Sequence, residues 1–117
     1  LRDACDGYEE MKRLLGAVTL PPAELLRVAR ACEELGRSAD ASRAYEAYGR
    51  RYPERQAAAL ALLKSAEIER RLLNNHGRAR FIYDELLRRP LSDTTRDLVE
   101  ERRTATMRVL QKHSPAA

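Results

Sequence analysis

Apolar residues recur along this chain every three or four positions, with polar and charged residues between them. Leu25, Val28, Ala29 and Cys32 are one example. This spacing is typical of amphipathic helices, because one helical turn holds 3.6 residues. The pattern predicts six helices, near residues 4–18, 22–35, 39–52, 55–73, 77–89 and 93–112.

The breaks between the predicted helices coincide with residues that end or begin helices. They contain Pro21, Pro22, Gly36, Pro53, Asn74, Asn75 and Pro90. Pro22 suits a first helical turn, and Gly36 suits the position just after a helix. The predicted N-terminal caps are Ser38 or Asp40, and Ser92 or Asp93. Because the connections are short, helices adjacent in sequence are predicted to pack antiparallel.

Each predicted helix has an apolar stripe that we expect to be buried. Beyond the positions above, the stripes comprise Tyr8, Met11, Leu15, Val18, Leu35, Ala41, Tyr45, Tyr48, Tyr52, Ala59, Leu62, Leu63, Ala66, Leu73, Ala79, Ile82, Tyr83, Leu86 and Leu87. The stripe of 93–112 is poorer, because Arg102 interrupts Leu98, Ala105 and Val109. This last helix is therefore predicted to be an end piece with much of its surface exposed to water.

The composition supports a helical chain. The 117 residues include 18 Ala, 17 Leu and 19 Arg, against four Val and two Ile. Ala, Leu and Arg favour helices, whereas β-branched residues favour strands. The sequence therefore predicts one all-α domain and argues against a sandwich, a barrel or a parallel sheet.

The helical pattern repeats along the chain. An alanine followed four residues later by a tyrosine occurs at Ala4 and Tyr8, Ala41 and Tyr45, and Ala79 and Tyr83. Ala29, Ala66 and Ala105 recur with a similar spacing. A period of this length is typical of stacked helical hairpins. The interpretation requires Tyr45 and Tyr83 to be buried.

Residues 25–53 resemble the tetratricopeptide-repeat (TPR) pattern in residue type and order. The matching positions are Leu25, Val28, Ala29, Cys32, Gly36, Ala41, Tyr45 and Pro53. Tyr48 departs from the pattern, because the family prefers a small residue there. Residues 59–90 resemble a degenerate second copy, through Leu63, Ala66, Asn74, Ala79, Tyr83 and Pro90.

The resemblance implies a short right-handed TPR-like solenoid over residues 1–117. Its two repeats would be about 22–53 and 55–90, with helices 4–18 and 93–112 as end pieces. Repeats of this family mostly act as protein-interaction scaffolds, and the first helix of each pair lines the concave face. The implied binding residues are Leu26, Arg30, Glu33, Lys64, Ile68 and Arg71.

The implied binding surface is mixed, and it becomes basic toward Lys64, Arg71 and Arg103. Such a surface favours an acidic or carboxylate-bearing peptide. The alternative is an ordinary solvated helix face. Leu26 and Arg30 stand where the carboxylate-clamping subfamily has Lys and Asn, so that clamp is not expected.

The net charge of +4, from 22 basic and 18 acidic residues, leaves other partners open. Arginine doublets occur at 50–51, 70–71, 88–89 and 102–103, mostly in last helical turns, where cations complement the helix dipole. One alternative is a basic helical domain that associates with nucleic acid or with an anionic membrane surface. Of these two partners, nucleic acid is not expected. Another is a homodimer through exposed end helices, or a self-associating regulatory tail of a membrane enzyme.

Catalytic and metal-binding chemistry is not predicted. His76 and His113 have no nucleophile or acid at a meaningful spacing, and the chain has no phosphate-binding loop. We therefore expect no enzyme activity, no cofactor and no metal. Cys5 and Cys32 lack metal-ligand spacing, and Cys32 is predicted to be a buried free thiol, with a Cys5–Cys32 bridge as the alternative.

The sequence contains no candidate transmembrane segment. Its longest uncharged run, residues 14–23, is ten residues long and contains two prolines, which is too short to span a bilayer. Because the chain starts with Leu, we expect it to be part of a longer protein. A cytoplasmic location is favoured, and a membrane-anchored parent is compatible with it.

Overall fold

The computed structural model describes residues 20–113, and this part of the chain is helical. Its helices are α1 (Pro22–Glu34), α2 (Ser38–Arg51), α3 (Ala58–Arg71), α4 (His76–Leu87) and α5 (Asp93–His113). No strand occurs among the described residues, so the predicted all-α class is confirmed. The predicted helix 4–18 lies outside the described residues, and the count of six helices stays a prediction.

Local sequence signals place most of the helix ends. Pro22 is the first residue of α1, and Gly36, with φ of 75°, takes the left-handed conformation just after it. The Asn75 side chain accepts a hydrogen bond from the Arg78 amide at 3.2 Å and caps α4. Ser92 caps α5 in the same way. These contacts satisfy amides that a helix start leaves unpaired.

The predicted side-chain cap of α2 is wrong. The cap residue is Arg37, and it makes no capping hydrogen bond through its side chain. Ser38 is already helical, and the Asp40 carboxylate instead accepts a bond from the Arg37 guanidinium at 2.9 Å. An ion pair within the first turn therefore takes the place of the cap.

Helix α3 is shorter than the predicted range 55–73. Turns occupy the residues before Ala58, with the Arg55 amide donating to the Tyr52 carbonyl at 3.0 Å. The helix ends at Arg71, and Asn74 has a positive φ of 52°. The difference arises because turn hydrogen bonds around Pro53 compete with helical ones.

Each described helix packs mainly against its neighbours in sequence. This packing encloses two hydrophobic cores. The first includes Leu25, Val28, Ala29, Cys32, Ala41, Ala44, Tyr45, Tyr48, Ala61 and Ile68. The second comprises Leu62, Leu63, Ala66, Ala79, Ile82, Tyr83, Leu86 and Val99. Helix α3 contributes to both cores and therefore joins them.

The burial required by the internal repeat is present. Tyr45 and Tyr83 are buried, and so are Ala41 and Ala79, four residues before them. The observation that would have contradicted the repeat is therefore absent. Several stripe residues are less buried than predicted. Leu35 is exposed, and four others are only half-buried, namely Tyr52, Ala59, Leu73 and Leu87. Near Ala59, the buried alanines are Ala58 and Ala61.

The predicted stripe of α5 is out of phase by one residue. The buried positions are Val99 and Thr106, whereas Ala105 is exposed and Leu98 is half-buried. The Thr106 hydroxyl donates to the Arg102 carbonyl of its own helix at 2.8 Å. This bond satisfies the hydroxyl, so the threonine can be buried. Ala105 therefore does not continue the series of buried alanines.

Cys32 is completely buried, as predicted, but the predicted free thiol is wrong, because Cys32 is disulfide-bonded. The other cysteine of the sequence, Cys5, lies outside the described residues. Helical periodicity predicts the burial of a side chain, but it carries no information on the covalent partner of a sulfur.

Helices α2 and α3 approach each other closely at Gly49. A Cβ atom added to Gly49 would lie 2.5 Å from the Leu62 Cγ and 2.9 Å from the Ala58 carbonyl oxygen. The TPR resemblance places a small residue one position earlier, at Tyr48. In the structure the Tyr48 ring is buried against the Tyr52 ring, with 5.8 Å between centroids.

We predict that Gly49→Ala lowers the free energy of unfolding by about 1–3 kcal/mol, because the added methyl forces α2 and α3 apart. Urea denaturation measures this change. Gly77→Ala is the matched control, since a Cβ there meets nothing within 4 Å, and alanine favours the helix by up to about 1 kcal/mol. Equal stabilisation of both variants would contradict the close approach.

Candidate functional site

An open groove of about 660 Å³ lies on α3 and is bordered by α1 and α5. We call it the α3 groove. Helix α3 lines it with Leu60, Leu63, Lys64, Glu67, Ile68 and Arg71, followed by Leu72 at the helix end. Glu33 of α1 and Leu98 and Arg102 of α5 complete the lining. The lining helices are therefore every second helix of the described chain, α1, α3 and α5. The first helices of stacked hairpins would have this order.

The structure brings together four of the six residues predicted to bind, namely Glu33, Lys64, Ile68 and Arg71. Ile68 is buried and forms part of the floor. Leu26 and Arg30 instead line a separate depression of about 420 Å³ on α1. Leu26 lies about two turns and Arg30 about one turn before Glu33, so the α3 groove meets only the last turn of α1.

Arg103, which was expected to make the surface basic, does not line the groove. Its guanidinium pairs with the Asp84 carboxylate of α4. Arg102 occupies the groove instead. The cause is the one-residue phase difference of α5 described above.

Sequence reasoning missed the two most exposed apolar residues of the groove. Leu60 is 58% exposed and Leu72 is 65% exposed. Leu60 precedes Lys64 by four residues and therefore lies on the same helix face. That four-residue spacing could have placed Leu60 in the groove. It gave no such signal for Leu72, because Leu72 lies just beyond the helix end.

Both carboxylates of the groove already have donors from the protein. The Glu33 carboxylate accepts from the Lys64 ammonium at 2.7 Å and from the Tyr45 hydroxyl at 2.6 Å. The Lys64 ammonium also lies 5.6 Å from the centroid of the Tyr45 ring. This cluster joins α1, α2 and α3.

Glu67 is held by a second cluster of the same kind. Its carboxylate pairs with Arg70 at 2.6 Å and with Arg102 at 3.2 Å. The Tyr83 hydroxyl donates to it at 3.1 Å and accepts from Arg70 at 3.3 Å. Burial, together with the nearby Glu67 charge, raises the pKa of Tyr83 to about 12, so the hydroxyl stays protonated at neutral pH.

Arg71 differs from the other cations of the groove. Lys64 pairs with Glu33 and Arg102 pairs with Glu67, whereas Arg71 has no ion-pair partner among residues 20–113. Its side chain is exposed. The groove therefore presents one cation that is available to a ligand.

A second depression, of about 670 Å³, is lined by α2 and the start of α4. Its charged residues connect helices to one another. Arg50 pairs with Glu85 at 2.8 Å, and Arg78 pairs with Glu46. On its buried side the Glu69 carboxylate accepts from the Ser42 hydroxyl at 2.5 Å. We therefore assign these contacts to the fold.

No cluster of His, Cys, Asp and Glu in residues 20–113 could hold a metal ion. No described helix combines the length and apolar character needed to cross a bilayer.

Comparisons with family models, with curated proteins and with solved structures give no match to this chain. The TPR resemblance therefore stays a prediction.

We predict that Lys64→Gln raises the pKa of Glu33. Burial raises the pKa of this carboxyl, but hydrogen bonds from Lys64 and Tyr45 outweigh burial and hold the pKa below the ordinary 4.5. A depressed pKa stabilises the fold above pH 4.5, and that contribution is lost as the pH falls through the folded-state value. Removing the ammonium removes part of it.

An NMR titration of the Glu33 carboxyl carbon measures the shift. Arg71→Gln is the matched control, because it removes a groove cation that does not contact Glu33, and it should leave the titration unchanged. An unaltered Glu33 pKa in Lys64→Gln would contradict the pairing.

Proposed function

We propose that the chain is a non-catalytic protein-docking module with TPR-like stacked hairpins, and that it binds a segment of a partner protein in the α3 groove. The observation that carries this proposal is the exposure of Leu60 and Leu72 in one groove, beside Arg71, which has no ion-pair partner in the described part of the chain. Exposed apolar groups with a charged rim are typical of protein-interaction sites.

The contacts of the two repeat tyrosines support the stacked-hairpin architecture. Tyr45 of α2 donates to Glu33 of α1, and Tyr83 of α4 accepts from Arg70 of α3. Glu33 and Arg70 each lie four residues after a buried alanine, Ala29 and Ala66. In both helix pairs, the residue four positions after the buried alanine therefore bonds the hydroxyl of the repeat tyrosine. This residue is an acid, Glu33, in the first pair and a base, Arg70, in the second.

The groove is also largely preformed. Its floor belongs to the two cores, and its carboxylates are held by tyrosine hydroxyls from the second helix of each hairpin. Binding to a rigid surface costs little ordering entropy on the side of the receptor. This rigidity suits a docking module.

The alternative of a polyanion-binding domain has weaker support. Several arginines of the doublets contact groups of the protein: Arg50 contacts Glu85, Arg70 contacts Glu67, Arg89 contacts the Gly49 carbonyl, and Arg103 contacts Asp84. Arginines engaged in this way have fewer donors available for phosphates. Homodimerisation through Tyr8, Met11 and Leu15 involves residues outside the described part and stays a prediction.

We predict that binding in the groove depends on its two leucines. A library of random peptides of about 16 residues, enough for four helical turns, is selected on the intact chain. For the enriched peptides, Leu60→Glu and Leu72→Glu should each weaken binding at least about tenfold, because each places a charge in the apolar contact. Fluorescence anisotropy measures the affinities.

Phe81→Ser is the matched control, since Phe81 is 56% exposed on α4 and does not line the groove. It should bind like the unaltered chain, and circular dichroism should show equal helicity for all variants. Enriched peptides that bind every variant equally would refute docking in the α3 groove.

We also predict no persistent binding to polyanions. Association with a short DNA duplex or with phosphatidylserine vesicles, if present at low salt, should vanish near 0.15 M salt, where the screening length is about 8 Å. The reason is that arginine donors are engaged by carboxylates. Affinity that survives this salt concentration would favour the polyanion alternative.

A further inference from the structure

We infer that the occupant of the α3 groove is an acidic amphipathic helix rather than an extended peptide. Its apolar face would contact Leu60 and Leu72, and one of its carboxylates would pair with Arg71. This inference rests on the proposed docking function and adds the conformation and charge of the partner. Three features of the groove carry it.

The first feature is the absence of partners for an extended backbone. None of the residues that line the groove has an amide or hydroxyl side chain. The backbone groups in the middle of α3 are bonded within the helix, and the Glu33 and Glu67 carboxylates already accept hydrogen bonds from the protein. An extended peptide would therefore lose water from its N–H groups without replacing those hydrogen bonds.

A helix avoids that cost, because its backbone groups pair with one another. Only its side chains need to match the groove. The lining offers leucine and isoleucine contacts for an apolar face and cations for a polar edge. This is the helix-in-groove mode of recognition.

The second feature is the distance between the exposed leucines. Leu60 and Leu72 are twelve residues apart, which corresponds to about 18 Å along a helix axis. A partner helix lying along α3 covers that distance in about three turns. Apolar residues at positions i, i+4, i+7 and i+11 of the partner would face Leu60, Ile68 and Leu72.

The third feature is the charge left over after internal pairing. Within residues 20–113, Lys64 and Arg102 are paired with carboxylates and Arg71 is not. A carboxylate on the partner would form a charge-assisted bond with Arg71, next to the contact with Leu72. A basic partner would instead meet Arg71, while Glu33 and Glu67 are already paired with cations of the protein.

The test uses the peptides selected on the intact chain for groove-dependent binding. We expect them to have net negative charge and a helical apolar period, and to gain helicity on binding by NMR chemical shifts. A central proline should weaken binding at least about tenfold, since it breaks a helix.

A charge exchange tests the contact with Arg71. Arg71→Glu should weaken the acidic peptides about tenfold, and replacing the facing Glu of the peptide by Lys should restore part of the loss. Arg55→Glu is the matched control, because Arg55 is exposed in the α2–α3 connection and does not line the groove. It should change binding little.

The outcomes separate this inference from the proposed function. Groove-dependent peptides that are basic, or that tolerate a central proline, would overturn the acidic helix and leave docking in place. A selection that yields no peptide sensitive to Leu60→Glu or Leu72→Glu would overturn both.

Discussion

The burial of α3 between the two hydrophobic cores is the packing on which the rest of the described structure depends. Ala61 and Ile68 belong to the first core, whereas Leu62 and Ala66 belong to the second. Each helix packs mainly on its sequence neighbours. Helix α3 therefore connects the pair α1 and α2 to the pair α4 and α5. The candidate groove lies on the exposed side of α3, with the core residues Leu63 and Ile68 in its lining, so one helix supports both the fold and the site.

The tyrosines of α2 and α4 help to hold the two carboxylates of that groove in place. Tyr45 and Tyr83 are buried, and their hydroxyls reach back to Glu33 and Glu67. Each bond holds a carboxylate that would otherwise be available to a ligand. Among the described residues, Arg71 is the groove cation without an ion-pair partner, so the proposed acidic partner rests on packing as much as on composition.

Most helix boundaries were predictable from the sequence, because Pro22, Gly36, Asn75 and Ser92 act through local backbone geometry. Two predictions failed where a side chain has two possible environments. Thr106 can be buried because its hydroxyl bonds its own helix. The buried stripe of α5 therefore differs by one residue from the predicted stripe. Cys32 is buried as predicted, yet it is disulfide-bonded. The apolar periodicity of a helix carries no information about that bond.

The sequence by itself determined the helical class, most of the helix ends and four of the groove residues, since each depends on the spacing of residues within one helix. Only the tertiary structure decided which of these side chains remain available. Arg70 and Arg71 are adjacent in sequence, yet Arg70 pairs with Glu67 and contacts Tyr83, while Arg71 lies in the groove with no ion-pair partner among residues 20–113. Neighbouring side chains of a helix point about 100° apart, so the packing of other helices decides which one finds a partner.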